Sequence, residues 1–390
     1  MTEEAVGLGA RHGRAAMTFD RAPRLVFWEM TKACPLACVH CRAAAQRGPA
    51  PGELTTDEGK AMIDDLAAAP RPTPILILTG GDCLQRADLG ELTAYAKEAG
   101  VPVAVSPSVS PSLNEGTLSM LHDNGVRHVS LSLDGALADT HDLVRQIPGH
   151  FAETLRAIGL MQEHGLAVQI NTAVMAQNVG ELADVAALLV SHGVRTWEVF
   201  FLIGVGRGNT IAEIESDEYE DVCHFLIDAS RYGMVVRTVE APFFRRVRHW
   251  RTRQLDSSAD TATEFRLGPL YRQLRSRLCE QMGPPITRVL APTVATRDGK
   301  GIVFVGHDGQ VYPAGFLPLS LGSVRDKPVL DIYRDDPVLQ AIRRADFPGR
   351  CGYCEYADEC GGSRARAYAA TGDPLADDPA CQYVPARDSR

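Results

Sequence analysis

The stretch Thr31–Cys41 reads TKACPLACVHC and sets Cys34, Cys38 and Cys41 in the pattern C-x3-C-x2-C. Three thiols are one more than a disulfide needs and one fewer than a closed tetrahedral metal shell needs. Just before them, RLVFWEM is an apolar run that reads as a strand. The cysteines therefore fall on a loop at a strand's C-terminal end, where parallel α/β folds carry their chemistry. Thiolates this close repel one another unless a cation holds them. His40 is the only near candidate for a fourth zinc ligand, but it adjoins Cys41, and adjacent residues rarely ligate one metal together. The other reading is an iron–sulfur cluster with one iron left open for a small molecule, since Cys at short spacings holds such clusters.

Working outward, strand and helix signals alternate. TTDEGKAMIDDLAAA opens with Thr and acidic residues, as helices do. PILILT, VPVAVS, HVSLSLDG, AVQINTAV and TWEVFFLI read as further strands. ADLGELTAYAKEAG, SLNEGTLSMLHDNG, HFAETLRAIGLMQEHG and VGELADVAALLVSHG read as helices, several ending in a Gly C-cap. Strand then helix, six times, predicts an α/β chain with a parallel sheet covered by helices. The expected organisation is an N-terminal arm over 1–23 and a strand–helix unit over 24–213. A helical connecting segment over 214–299 and a small cysteine-rich domain over 300–390 follow. That last part opens with GIVFVGHDGQVYPAG, a hairpin with Asp-Gly at its turn.

Composition bounds the function. A net charge of -9 argues against a broad nucleic-acid surface. No apolar run approaches the roughly 20 residues needed to cross a bilayer. The first twenty residues lack the apolar core of a signal peptide, so the expected compartment is the cytoplasm. In that compartment ten cysteines are metal ligands or redox groups sooner than disulfides. Cys351, Cys354 and Cys360 form C-x2-C-x5-C, and Cys381 follows. Four thiolates close a shell. Both a [4Fe–4S] cluster and zinc suit them, and the spacing does not separate the two.

The cysteine loop after the first strand resembles that of the radical S-adenosylmethionine (SAM) superfamily. The resemblance covers about residues 24–210 and implies a partial (β/α)6 TIM-like barrel. It also implies a [4Fe–4S] cluster on Cys34, Cys38 and Cys41, with SAM chelating the open iron. TGGD at Thr79–Asp82 is similar to the superfamily's glycine-rich motif, with Asp82 where Glu is commoner and Cys83 where Pro is usual. Gly80 and Gly81 would allow close backbone approach, and Asp82 would suit the cofactor's amino group. Ser132 and Asp134 in SLSLDG, Arg145 in HDLVRQ and Asn171 in QINTAV resemble the family's further cofactor contacts. For each of these, a solvated strand-end polar group is the plain alternative.

The second cysteine set resembles the C-terminal SPASM or twitch domains of the same superfamily, which implies an auxiliary [4Fe–4S] cluster on Cys351, Cys354, Cys360 and Cys381. VYPAGF has Ala314 where a full SPASM domain usually carries a Cys, so one auxiliary cluster is expected. Cys83, Cys223 and Cys279 then stay free, as buried Cys often does. CGGSRARAYAATGDPLADDPAC resembles the heme d1 and alternative heme biosynthesis members, and TGGD also occurs there. The resemblance implies oxidative modification or decarboxylation of a tetrapyrrole side chain, with ferredoxin or flavodoxin as electron donor. A tetrapyrrole is flat and acidic, and Arg binds carboxylates in fork geometry. Arg246 and Trp250 in FFRRVRHWRTR, and Arg207 in GVGRG, are the candidate substrate contacts; a solvated amphipathic helix is the alternative for the first two. The competing enzyme reading is maturation of a ribosomal peptide. The short stretch before the first strand leaves no room for the leader-binding domain such enzymes often carry. A non-catalytic iron–sulfur carrier would need neither the glycine-rich loop nor Ser132 and Asp134.

Overall fold

The computed structural model describes residues 19–253, 260–287 and 296–386. Most of the expected N-terminal arm lies outside the described residues. Seven strands alternate with helices: β1 (Leu25–Glu29), α1 (Thr56–Ala67), β2 (Ile75–Thr79), α2 (Leu89–Glu98), β3 (Val103–Val105), α3 (Glu115–Asp123) and β4 (His128–Ser132). Then come α4 (Ala138–Arg145), α5 (His150–Glu163), β5 (Ala167–Val174), α6 (Leu182–Ser191), β6 (Thr196–Phe201), α7 (Glu218–Ser230), β7 (Val235–Val239) and α8 (Phe244–Arg253). β8 (Ile302–Val305) and β9 (Val311–Tyr312) form the expected hairpin.

All nine strands lie in one sheet, ordered β7-β6-β5-β4-β3-β2-β1-β8-β9. Pairing is parallel from β7 through to β8, and only β8–β9 is antiparallel. This curled sheet is a partial TIM-type barrel. Two findings depart from the sequence reading. The segment expected to be helical, 214–299, contains β7, whose residues pair in parallel with β6. The hairpin expected to belong to a separate small domain adds β8 to the free edge of β1, with Leu25 opposite Ile302 and Trp28 opposite Val305. Both strands are short and lie outside the regular strand–helix repeat, so periodicity alone does not reveal their partners.

The strands alternate because one face is covered by helices. β5 buries Val168, Ile170, Thr172 and Val174 while Gln169, Asn171 and Ala173 are only half-buried. β1 buries Val26 and Trp28 completely. α1 packs flush on Trp28: a Cβ at Gly59 would lie 2.6 Å from the indole ring. That helix begins with a full capping box, Thr55 with Glu58, which satisfies two otherwise orphaned N–H groups. Polar residues such as Gln169, Asn171 and Glu198 therefore collect on the other, concave face, where Gln169 donates to both Asn171 and Glu198 at 2.9 Å. No described helix is long and apolar enough to cross a membrane.

Candidate active site

The cysteine loop leaves β1 at the C-terminal end of the parallel sheet. It closes on itself, with Cys34 N–H donating to Gln46 O at 2.7 Å and Gln46 N–H to Lys32 O at 2.9 Å. The glycine-rich turn after β2 clamps it from the side. Gly81 N–H donates to Thr31 O and Asp82 N–H to Ala33 O, both at 2.8 Å. A Cβ on Gly80 would meet Thr31 O at 2.5 Å, and one on Gly81 would meet Ala33 O at 2.4 Å. Gly80 also holds φ at +144°, a region open to glycine. Both glycines thus serve the contact between two loops.

Each thiol of the loop receives a donor. Leu36 N–H reaches Cys34 Sγ at 3.4 Å, and Ser108 Oγ lies 3.6 Å from the same sulfur. Ala45 N–H reaches Cys41 Sγ at 3.5 Å, and Arg145 Nη1 reaches Cys38 Sγ at 3.7 Å. Donors to sulfur stabilise anionic, metal-bound thiolates.

Asp134 and Arg145 meet beneath the loop. Arg145 Nη2 lies 2.5 Å from Asp134 Oδ2, and His40 Nε2 lies 3.6 Å from the same oxygen. Burial would raise the Asp134 carboxyl, but the Arg145 cation beside it holds it below its usual range. Burial pushes His40 down to about 4, so it is neutral at pH 7. Asp134 Oδ1 accepts from Ala173 N–H at 2.8 Å, tying the end of β4 to β5. His40 Nδ1, Asp134 Oδ2, Arg145 Nε and Arg207 Nη2 are buried yet lack a well-directed hydrogen bond. Buried polar groups rarely stay so, and a polar ligand at this point would meet them. The donor set and these orphaned atoms fit a cluster carrying a small polar cofactor.

The other expected contacts fall as follows. Ser132 ends β4 opposite Asn171 in register, and Asn171 Oδ1 accepts from Gln169. Asp82 is fully buried and accepts from Leu84 N–H, Ser108 N–H, Gln85 and Ser110 at 3.0–3.2 Å. Its carboxylate is spent on the protein, so it organises the turn. Arg207 braces the cysteine loop, with Nε on Cys38 O and Nη1 on Ala45 O, both at 2.9 Å; this is not the free anchor its position suggests. Arg246 is 2% exposed and makes a two-pronged pair with Glu220 at 2.8 Å. Its guanidinium lies 4.4 Å from the Trp250 ring centre and 4.9 Å from that of Tyr383. Trp250 stacks on Phe265 and donates to Tyr356 Oη at 2.8 Å. These two residues therefore lock α8 to the C-terminal region. The helix is neither a lid nor a fully solvated surface, because Arg245, Arg246 and Arg251 find partners in segments distant in sequence.

The second cysteine set lies across that seam. Cys351 and Cys360 are buried, and Cys354 and Cys381 are half-buried. Burial pushes the free thiol of Cys360 up to about 12 and that of Cys351 up to about 11. The cations of Arg246 and Arg245 act against this at Cys360, and that of Arg364 at Cys351. Arg364 Nη2 approaches Cys351 Sγ at 3.9 Å, and a Cβ on Gly362 would come within 3.3 Å of that sulfur. Four thiols with the Arg245, Arg246 and Arg364 cations beside them fit a four-thiolate centre. Among the described residues, neither cysteine set is drawn in to metal-binding distance.

Sequence reasoning missed one cluster. Glu29, the last residue of β1, is 4% exposed; its Oε2 lies 2.6 Å from Arg42 Nη2 and its Oε1 3.0 Å from His307 Nδ1. The signal was a charged residue closing an otherwise apolar strand. Cys83 is fully buried in the main core, where burial raises its thiol far above the usual value; it is a packed residue.

A parallel half-barrel with a three-cysteine loop at its C-terminal mouth defines a class, and the sequence profile of the radical SAM superfamily matches residues 28–189. The chain belongs to that superfamily and is a radical SAM enzyme. It is 36% identical to the AdoMet-dependent heme synthase of Nitratidesulfovibrio vulgaris, over 93% of each chain. It is 31% identical to the Fe-coproporphyrin III synthase of Methanosarcina barkeri, over 93% of this chain and 88% of that relative. Among solved structures, Streptococcus suis SuiB bound to S-adenosylmethionine matches with a TM-score of 0.61 at 14% identity, over 93% of this chain and 77% of that one. That likeness shows the fold. The family carries a [4Fe–4S] cluster and SAM.

Proposed function

We propose that this enzyme oxidatively modifies or decarboxylates a carboxylate-bearing side chain of an iron tetrapyrrole. The observation that carries the reading is its similarity, over nearly the whole chain, to proteins named for heme and for Fe-coproporphyrin III. Cys34, Cys38 and Cys41 hold the radical cluster, and Cys351, Cys354, Cys360 and Cys381 hold one auxiliary [4Fe–4S] cluster. When bound, the first centre with SAM supplies a 5′-deoxyadenosyl radical that takes a hydrogen atom from the substrate, and the second supplies an acceptor for one electron.

The chain's own residues hold this chemistry. Arg145 and Arg207 fix the cysteine loop from below, through Cys38 Sγ and Cys38 O. Asp134, with Arg145 and neutral His40, offers buried polar atoms to the amino-acid end of SAM. The mouth offers Arg42 for a carboxylate and the rings of Phe304, Tyr312, Phe316 and Phe200 for a flat face. Ferredoxin or flavodoxin in the cytoplasm supplies the electron. The test is anaerobic turnover of the reconstituted enzyme with Fe-coproporphyrin III. Formation of 5′-deoxyadenosine should rise above uncoupled cleavage, with carbon dioxide released from the porphyrin. No stimulation by any iron porphyrin would overturn this reading in favour of a peptide substrate.

A further inference from the structure

We propose that His307 binds the iron of the substrate tetrapyrrole as an axial ligand, oriented for that task by Glu29. The proposal rests on the tetrapyrrole reading above.

His307 follows β8, and β8 runs parallel to β1. It therefore stands at the same end of the sheet as the cysteine loop. Glu29 lies between two partners, with Arg42 Nη2 at 2.6 Å from one oxygen and His307 Nδ1 at 3.0 Å from the other. Paired with the Arg42 cation, Glu29 is a carboxylate that only accepts hydrogen bonds. Nδ1 must carry the proton. In the neutral ring, Nε2 then carries a lone pair. A histidine whose far nitrogen is fixed by a carboxylate is the usual arrangement of a metal-ligating imidazole.

The contact with Glu29 runs through Nδ1, which leaves Nε2 on the side of the ring away from it, and the side chain keeps 18% of its surface exposed. Other histidines at the mouth face elsewhere. His40 is turned to Asp134, while His141 and His150 bond each other at 2.9 Å and are stacked. The surroundings suit the same ligand. Arg42 lies 4.4 Å from the centre of the Phe304 ring, and Tyr312 packs at 6.3 Å against that ring. The Gly315 backbone passes close by, where a Cβ would touch Phe304 at 3.2 Å and Arg42 Nε at 3.4 Å. One wall thus joins a cation for carboxylates, aromatic faces and a nitrogen donor. Binding is a dative bond from Nε2 to iron; no proton moves and no electron is transferred.

The experiment titrates ferric coproporphyrin III and metal-free coproporphyrin III into the reconstituted holoenzyme and its His307→Ala variant. The readouts are the Soret band and the electron paramagnetic resonance signal of the porphyrin iron. The wild type should show a nitrogen-ligated ferric signature. His307→Ala should lose it and bind the ferric porphyrin at least about tenfold more weakly, the scale on which metal sites respond to a lost partner. Binding of the metal-free porphyrin should stay as in the wild type, and added imidazole should restore the signature. An unchanged ferric signature in the variant overturns the proposal. So does equal loss of both porphyrins, which would mark His307 as part of the pocket wall. If the wild type binds neither porphyrin, the tetrapyrrole reading fails as well; if it binds both without nitrogen ligation, only the His307 assignment fails.

Discussion

At the barrel mouth, three thiols sit above buried polar atoms without a well-directed hydrogen bond: His40 Nδ1, Asp134 Oδ2, Arg145 Nε and Arg207 Nη2. In the C-terminal region, four thiols sit beside arginines whose bonds are taken up by the protein, Arg246 by Glu220 and Arg364 by the carbonyls of Gly362, Pro374 and Ala376. On the function proposed above, the thiol count makes one centre open and the other closed. The neighbours differ in kind: a carboxylate, an imidazole and guanidiniums meet at the mouth, and guanidiniums bonded to the protein stand at the C-terminal set. An open centre needs unsatisfied polar atoms for the molecule that completes it. A closed one needs its charge balanced by groups that are already fixed.

The hardest test of this contrast is to remove one thiol from each side. Cys34→Ala, Cys38→Ala or Cys41→Ala should abolish 5′-deoxyadenosine formation completely, while iron analysis still finds about four irons per chain in the auxiliary centre. Cys381→Ala should cut iron from about eight to about four per chain and spare SAM cleavage while product formation falls. One zinc with four irons in the wild type would instead convert the C-terminal site into a structural one. Next in size is Arg145→Ala, which leaves Asp134 buried and unpaired. Loss of one partner from a buried pair costs about 3–5 kcal/mol, to be read by denaturant unfolding of the variant. SAM binding measured by calorimetry should weaken in parallel; unchanged SAM affinity would reduce Arg145 to a structural brace. The smallest effect should come from Cys83→Ala. Removing one buried sulfur should cost on the order of 1 kcal/mol and leave the iron content as in the wild type. Lost iron there would make Cys83 a ligand and spoil the count of seven.

Much of this was legible in the sequence because it was local. The six strand–helix units follow from apolar runs such as PILILT and AVQINTAV, which form β2 and β5 in the structure. Thr55 announced its helix three residues before Glu58 confirmed it. The cysteine spacings are local as well. What escaped was non-local. β7 is a short edge strand amid helical signals, and β8 pairs with a strand at the opposite end of the chain. Arg246 looked like a surface arginine because nothing near it in sequence announces Glu220 or Tyr383. Asp82 lies where the family pattern led and Arg207 where a carboxylate anchor was sought, yet their side chains are engaged by protein groups that no motif names.

The β1–β8 pairing has a consequence for the order in which the molecule is made. Residue 25 emerges early in synthesis and residue 302 late, yet they share a ladder. Contacts so far apart in sequence are slow to form, and chains fold from the N-terminus as they emerge. β1 must therefore keep one edge unpaired until most of the polypeptide has been translated. The cysteine loop hangs from that strand. Its metal centre should be installed late, after the last third of the chain has closed the edge, and a truncated chain lacking that third should be a poor recipient for iron and prone to aggregate.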